Sequence, residues 1–265
     1  MKIDERKCVA CGNCVPVCPM GAISIDAATN RASVNSDECV ECYACFRGMS
    51  MEKLNPSFVR GVRSFLKLFR LRFDPEPDVC PTSAITPDEL AWPRVVRRAF
   101  SDPQVTHEST GVHGRGTEEV KTNDVTNRVG IGEVGYVVEF GRPTVGVRFR
   151  DIEKMTVALA KIGIAFEPNN PVTHMMTDKA AGKLRDDILN EKILSAIVEF
   201  KTSIGNVPAV LAKVDQVSKT LDTVVAVGVS TRCEQDGASA LDAVLVDEGL
   251  SFVRGKTNLG LGHAS

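Results

Sequence analysis

The sequence predicts an α+β protein with two domains. The N-terminal domain is rich in cysteine and carries an inserted basic helix, and the C-terminal domain is a βαββαβ split-βαβ sandwich. Three observations predict this: a cysteine motif occurs twice before residue 90, a basic segment interrupts its second copy, and strand and helix periodicities alternate after residue 129. We place the domains at residues 1–92 and 129–265, joined by a connector over 93–128, with a glycine-rich tail at the end.

The composition favours a cytoplasmic protein that binds metal. Hydrophobic residues make up 43% of the 265 residues and charged residues 25%, and the net charge of −2 gives no general reason to expect nucleic acid as a partner. No apolar run approaches the ~20 residues that cross a bilayer, and the first residues lack the apolar core of a secretory signal. Because cytoplasmic thiols are kept reduced, we expect the nine cysteines to bind metal and not to form disulfides.

The cysteines follow one motif that is repeated. The run from Cys8 reads C-x2-C-x2-C-x3-C-P, whereas the run from Cys39 stops after three cysteines. The segment 17–24, "VCPMGAIS", is matched by 79–86, "VCPTSAIT", so the offset between the copies grows from 31 to 62. The missing fourth cysteine is therefore Cys80, and the second copy contains an insertion within 46–78.

These motifs resemble the bacterial-type dicluster ferredoxins, which hold two [4Fe-4S] clusters, and the resemblance covers about residues 1–90. In that family the fourth cysteine of each run ligates the cluster of the other run. The resemblance therefore implies a cluster I held by Cys8, Cys11, Cys14 and Cys80, and a cluster II held by Cys39, Cys42, Cys45 and Cys18. The long insertion departs from the family pattern, so a [3Fe-4S] centre is also open at cluster I. Metal binding and folding are expected to be inseparable.

Short elements surround the cysteines. The stretch 22–35 predicts a strand, a turn and a return strand, and the proline after Cys18 and after Cys80 ends a helical turn. The small apolar pairs that follow these prolines, at 22–23 and 84–85, are suited to covering a cluster.

The insertion predicts a basic amphipathic helix that begins after the pair Asn55-Pro56. Residues 46–73 contain seven basic residues and one acidic residue. Apolar residues recur at helical spacing at Phe58, Val62, Phe65, Leu66 and Phe69. We favour packing of this stripe on the protein's own second domain. Docking of an acidic redox partner and contact with a membrane surface are the two alternatives.

The second part of the chain predicts alternating elements. A short helix is expected near Arg94–Ala99, and glycines at 111, 114 and 116 favour a loop. Strands are predicted at 134–140, 164–168, 193–201 and 223–231, and helices at 151–163, 178–189 and 206–221. Asp151 is expected to cap the first of these helices and Gly163 to end it.

This βαββαβ order resembles the ACT-type small-molecule-sensing domains, most clearly in the last helix and strand at 206–227. The resemblance implies a homodimer or a small-molecule ligand, and the residues themselves leave both open.

Other candidate sites have simpler explanations. His174 is expected to be a surface or hydrogen-bonded histidine, and Cys233 an ordinary free thiol. The glycine-containing segments 114–124 and 253–262 combine glycine with basic residues, as an anion site does, but neither matches a phosphate-loop pattern, so we interpret both as turns.

The expected function is low-potential transfer of single electrons to or from a partner oxidoreductase, such as a flavin, molybdenum/tungsten or radical enzyme, in an anaerobic cytoplasm. No catalytic residues are predicted. Two alternatives stay open: an iron–sulfur reductase that binds its substrate in the C-terminal domain, and a sensor of redox state and a metabolite.

Overall fold

The computed structural model describes residues 1–72, 74–106 and 127–255 and divides the chain into two compact units, Met1–Asp102 and Pro103–Ser265. The segment 114–124, interpreted above as a turn, lies outside the described residues, as does 253–262 from residue 256 onward. No helix in the described ranges is long and apolar enough to cross a membrane.

Unit 1 consists of short elements arranged around the cysteines. Its strands are β1 (Lys2–Ile3), β2 (Ile23–Asp26), β3 (Arg31–Val34), β4 (Ser50–Met51), β5 (Val79–Cys80) and β6 (Ile85–Thr86). Its helices are α1 (Cys14–Val17), α2 (Ala44–Arg47), α3 (Pro56–Leu68) and α4 (Val95–Ser101). The predicted hairpin is present as the antiparallel pair β2–β3, and β1 pairs antiparallel with β6.

A parallel strand pair closes the insertion at its base. Ser50 pairs with Val79 and Met51 pairs with Cys80. The chain that leaves the second cysteine run therefore returns to the point it left, so the intervening residues project from the unit without displacing Cys80.

Helix α3 begins where the sequence predicts it. The Asn55 side chain accepts hydrogen bonds from the backbone N–H groups of Ser57 (2.9 Å) and Phe58 (3.2 Å), which caps the helix, and proline occupies the first turn. Three of the five positions of its apolar stripe, Phe58, Phe65 and Phe69, are exposed, and packing of the stripe on the second domain stays a prediction.

Unit 2 contains a four-stranded antiparallel sheet. The strands of the whole unit are β7 (Glu133–Phe140), β8 (Val147–Arg148), β9 (Ala165–Phe166), β10 (Met176–Asp178), β11 (Lys183–Leu184), β12 (Lys192–Ile193), β13 (Ala196–Ser203) and β14 (Val225–Thr231). Its α-helices are α5 (Phe149–Ala160), α6 (Pro171–His174), α7 (Val207–Ser218) and α8 (Ala240–Asp247). The order in the sheet is β14-β7-β13-β9, with Val138 of β7 opposite both Val198 and Val227.

The core of unit 2 forms where alternating residues of β7 meet the apolar faces of α5 and α7. Side chains that are less than 2% exposed include Val134, Tyr136, Val138, Phe140, Phe149, Ile152, Met155, Leu159, Val207 and Val210. The Tyr136 and Phe200 rings stack with their centroids 4.8 Å apart. This core contains no cysteine among the described residues.

Two local predictions in unit 2 are wrong. The segment 178–189 forms β10, a turn, β11 and a single 3₁₀ turn instead of a helix, because Gly182 adopts φ +67° and its backbone lies against that of Thr156. Asp151 does not cap α5; it lies in the first turn and pairs with Lys154 at 2.7 Å. Helix α8 has no counterpart among the elements predicted from the sequence.

Candidate metal centres

The structure groups eight of the nine cysteines around two cavities. The first cavity is lined by Cys8, Cys11, Cys14 and Cys80. The second is lined by Cys18, Cys39, Cys42 and Cys45. All nine cysteines are described and none forms a disulfide, and the ninth, Cys233, is exposed. Each cavity thus combines the triplet of one run with the fourth cysteine of the other.

Side chains of the first run hold the segment around Cys80 in place. The Asn13 amide donates to the carbonyl oxygens of Glu76 (2.7 Å) and Val79 (3.0 Å), just before Cys80. After Cys80, the Thr82 hydroxyl donates to the carbonyl of Lys7 at 2.6 Å. These contacts, with the β4–β5 pair, bring the distant cysteine to the first cavity.

The backbone of the two cysteine loops follows the repeat. Ala10 and Glu41 both have φ of +56°, and Gly12 and Tyr43 have φ of +87° and +58°. Each of these pairs is related by the offset of 31. Left-handed residues within such loops turn successive N–H groups towards one point and create a concave donor surface, which is a known feature of iron–sulfur sites.

Backbone N–H groups are directed at the cysteine sulfurs. The N–H groups of Ala22 and Ala84, which are related by the offset of 62, donate to the Sγ atoms of Cys18 and Cys80, each at 3.3 Å. The Ala32 N–H donates to Cys8 Sγ at the same distance. Hydrogen bonds to sulfur stabilise negative charge on the ligands and raise the reduction potential of a bound cluster.

Arginines bind the outer side of both loops. In the first loop, the Arg60 guanidinium donates to the carbonyl oxygens of Arg6 and Cys8, and Arg63 donates to that of Ala10 at 3.3 Å. In the second loop, Arg97 donates to the carbonyl of Cys39 (2.8 Å) and Arg47 to that of Cys42 (2.7 Å). The carbonyl groups therefore point away from the cavities, which leaves the N–H groups to face the sulfurs.

The second cavity also has an ionised carboxylate at its wall. Burial would raise the pKa of Glu41, but hydrogen bonds from the Met1 amino group (2.6 Å) and from Arg94 (2.7 Å) outweigh it and lower the pKa below its usual value. Glu41 therefore binds these two cations as a carboxylate and holds the second loop against α4.

The thiols are held in an environment that disfavours their charge. Burial and neighbouring thiols, Cys11 first among them, raise the pKa of Cys14 to about 12. Burial, Cys42 and Cys18 raise the pKa of Cys45 to about 12 in the same way. Iron binding must therefore displace protons, and the positive charge of iron removes the mutual repulsion of the thiolates.

The donor set fits [4Fe-4S] clusters. Four thiols converge on each cavity, N–H groups face the sulfurs, and buried apolar side chains such as Ile23, Ala32, Val40 and Ile85 exclude water. Within the described residues, no three cysteine, histidine or acidic side chains are gathered as a single metal ion requires.

The remaining candidates lie apart from the cysteines. His174 ends α6 in unit 2 and is exposed. Unit 2 also has an open cavity of about 280 Å³ beside β9, lined partly by Phe166, Thr173 and Lys179. The arginines on the two loops were not predicted as site residues, since basic residues in a sequence carry no sign of which carbonyls they bind.

Comparison with known proteins agrees with this geometry for the N-terminal segment. Residues 1–48 match the family model of the 4Fe-4S dicluster domain. The chain is 45% identical over 42 residues to Ferredoxin-1 of Rhodobacter capsulatus and 40% identical over 42 residues to a ferredoxin-like protein in the vnf region of Azotobacter vinelandii. Each match covers 16% of this chain and 62% of the relative. No solved structure matches.

The comparisons therefore support two [4Fe-4S] clusters in an N-terminal segment that is similar to ferredoxins. The family match ends at residue 48, before Cys80.

Proposed function

We propose that this protein is a low-potential carrier of single electrons for a partner oxidoreductase in the cytoplasm. In this proposal cluster I is held by the triplet from Cys8 together with Cys80, and cluster II by the triplet from Cys39 together with Cys18. The observation that supports the pairing is the lining of the two cavities, each with one triplet and one distant cysteine.

The residues of unit 1 perform three tasks in this function. A bound cluster supplies a one-electron redox couple. Four thiolates per cluster occupy every ligand position, so the chain holds the clusters without an open site for substrate. The N–H groups of Ala22, Ala32 and Ala84 stabilise negative charge on the sulfurs, and the buried apolar side chains keep water away.

Unit 2 has a separate role in the proposal: docking, dimerisation or a response to a small molecule. The sheet of unit 2 has an apolar core of its own. For the redox partner of the whole protein, the proposed class is a flavin, molybdenum/tungsten or radical enzyme. The reductase and sensor alternatives gain no specific support, since the cavity beside β9 is open and lies in the unit that holds no ligand cysteine.

The experiment is anaerobic purification of the full chain, followed by iron and sulfide analysis and a reductive titration. We expect about eight irons per chain, since two cubanes carry four each, and reversible bleaching of the visible absorption on reduction. The reduced protein should pass electrons to a viologen dye. The matched control is Cys233→Ala, which should retain the full iron content. An iron content near four would overturn the assignment of two four-iron clusters.

A further inference from the structure

Helix α3 and the residues that follow it turn a row of large apolar side chains towards solvent. We name this row the apolar ridge. Its members are exposed by 58% to 79%: Phe58, Phe65, Leu68, Phe69 and Leu71. The rings of Phe65 and Phe69 contact each other edge to face with centroids 5.2 Å apart, so part of the ridge forms a continuous surface. Contiguous exposed apolar surface of this kind marks an interaction site.

The opposite side of the helix explains this orientation. Val59 is buried, and Arg60 and Arg63 donate hydrogen bonds to the loop of the first cysteine run. Rotating the helix to bury the phenylalanines would break these charge-assisted hydrogen bonds. The ridge is therefore exposed because Arg60 and Arg63, on the other side of the helix, bind the first cysteine loop.

The ridge is surrounded by positive charge. Between Lys53 and Arg72 the sequence contains six basic residues and no acidic residue. Four of them, Lys53, Lys67, Arg70 and Arg72, are exposed beside the ridge. The basic residues are complementary to an anionic surface, and the apolar side chains are complementary to an apolar layer beneath it.

We propose that the apolar ridge inserts into the headgroup region of a bilayer that contains anionic phospholipid. Amphipathic helices that lie in a membrane surface present phenylalanine and leucine on one side and lysine and arginine around them. Protein interfaces are depleted in lysine, whereas Lys53 and Lys67 are exposed beside the ridge. A convex row of phenylalanines fits a deformable bilayer without needing a matching pocket.

The consequence is a protein held at the membrane surface with the helix between the bilayer and the first cysteine loop, because Arg60 binds the carbonyl of Cys8 from the opposite side of the helix. This inference concerns the helix surface and is independent of the proposed electron transfer, so either can fail without the other.

The test is co-sedimentation of the full-length, iron-loaded protein with vesicles. One set contains equal parts phosphatidylglycerol and phosphatidylcholine, and the other contains phosphatidylcholine alone. We expect binding to the anionic vesicles only, weakened by added salt because surface charges are screened. Phe65→Ser should reduce the partition coefficient about tenfold, as should Phe69→Ser, because each removes most of one buried aromatic ring.

Two matched controls distinguish an effect of the ridge from the effect of changing any exposed apolar or charged residue. Val253→Ser removes an exposed apolar side chain, and Lys179→Glu reverses an exposed charge; neither should change binding. Lys67→Glu should weaken it. Each variant must retain the iron content of the parent protein.

Several results would overturn the proposal. One is a wild-type protein that stays in the supernatant with anionic vesicles. Another is binding that Phe65→Ser and Phe69→Ser leave unchanged. If the protein ignores vesicles but sediments as a dimer that Phe65→Ser dissociates, the ridge belongs to a second copy of the chain. If it does neither, the ridge belongs to a partner protein.

Discussion

Cys80 is separated from Cys45 by the whole inserted helix, yet its sulfur lines the cavity of the first cysteine run. Burial raises the pKa of the Cys11 thiol, and the nearby Cys80 thiol raises it further. Four cysteines that line one cavity supply the four thiolates that a [4Fe-4S] cluster requires. The pairing implies that each half of unit 1 contributes to both centres.

Substitution of Cys80 tests that pairing. Cys80→Ala should lose cluster I or convert it to a three-iron centre, so the iron content should fall from about eight to between about four and seven. Iron analysis and EPR of the reduced protein measure this. The EPR spectrum should show the signal of reduced cluster II without magnetic coupling to a second reduced [4Fe-4S] cluster.

The reverse experiment is Cys18→Ala, which lies in the first run but should affect cluster II. Cys233→Ala serves as the control that removes a thiol without removing iron. Retention of eight irons in Cys80→Ala would exclude this residue as a ligand.

Arg63 offers a second prediction at this scale. Its guanidinium binds the carbonyl of Ala10 and acts on the nearby Cys11 thiol by lowering its pKa, although burial keeps that pKa raised overall. Arg63→Gln removes a positive charge beside cluster I and should lower its reduction potential by an amount on the order of tens of millivolts. A redox titration followed by EPR measures both clusters, and cluster II is the internal control. An equal shift at both clusters would contradict a local effect.

The residue scale also shows what sequence patterns can and cannot predict. The offset between the cysteine runs singled out Cys80, because the proline and the small apolar residues after it repeat those after Cys18. The same sequence contains no signal that Arg60 and Arg63 bind the first loop. Their partners are backbone carbonyl groups, which every residue has, so only the folded chain identifies them.

Among the elements, the start of α3 is predicted from the sequence, but the side of the helix that faces solvent is not. Helical spacing of phenylalanines shows that one face is apolar, but it does not show whether that face is buried. The hydrogen bonds of two arginines decided the orientation here. Strands β7 and β14 were predicted within two residues because their alternation is regular, whereas the segment 178–189 depends on a tertiary contact of Gly182.

That contact gives a prediction for unit 2. A Cβ at Gly182 would lie 2.3 Å from the Thr156 carbonyl oxygen, in a backbone with φ of +67°. Gly182→Ala should therefore destabilise unit 2 by clearly more than the ~1–2 kcal/mol of left-handed strain alone. Hydrogen exchange of the β7 and β13 amides measures this.

The matched control is Gly163→Ala, where φ is +73° but no described atom lies within 4 Å of the added Cβ. It should cost only the strain of about 1–2 kcal/mol. Equal losses of protection in the two variants would show that the close approach to Thr156 has no effect. Both variants should keep their full iron content.

The whole molecule combines two units that are stabilised by different means. The strands of unit 1 are two to four residues long, and its core includes Cys8, Cys14, Cys45 and Cys80. Unit 2 has strands of eight residues and an apolar core without cysteine ligands. The cysteine motifs and the strand and helix periodicities predict a metal domain and a sheet domain, because both signals extend over many residues.

This difference predicts the response to iron removal. Chelation of iron should increase hydrogen exchange throughout the described part of residues 1–102, because the core of unit 1 loses its ligated metal. The amides of β7 and β13 should keep their protection. Mass spectrometry of proteolytic fragments measures both units in one experiment. Simultaneous loss of protection in both would contradict independent stabilisation.

The most direct measurement is a map of the iron sites by anomalous X-ray scattering from crystals of the iron-loaded protein. We predict two groups of four irons. One should be bonded to Sγ of Cys80 together with the triplet from Cys8, and the other to Sγ of Cys18 together with the triplet from Cys39. A map in which Cys80 binds no iron, or in which Cys18 binds the cluster of its own run, would contradict the pairing.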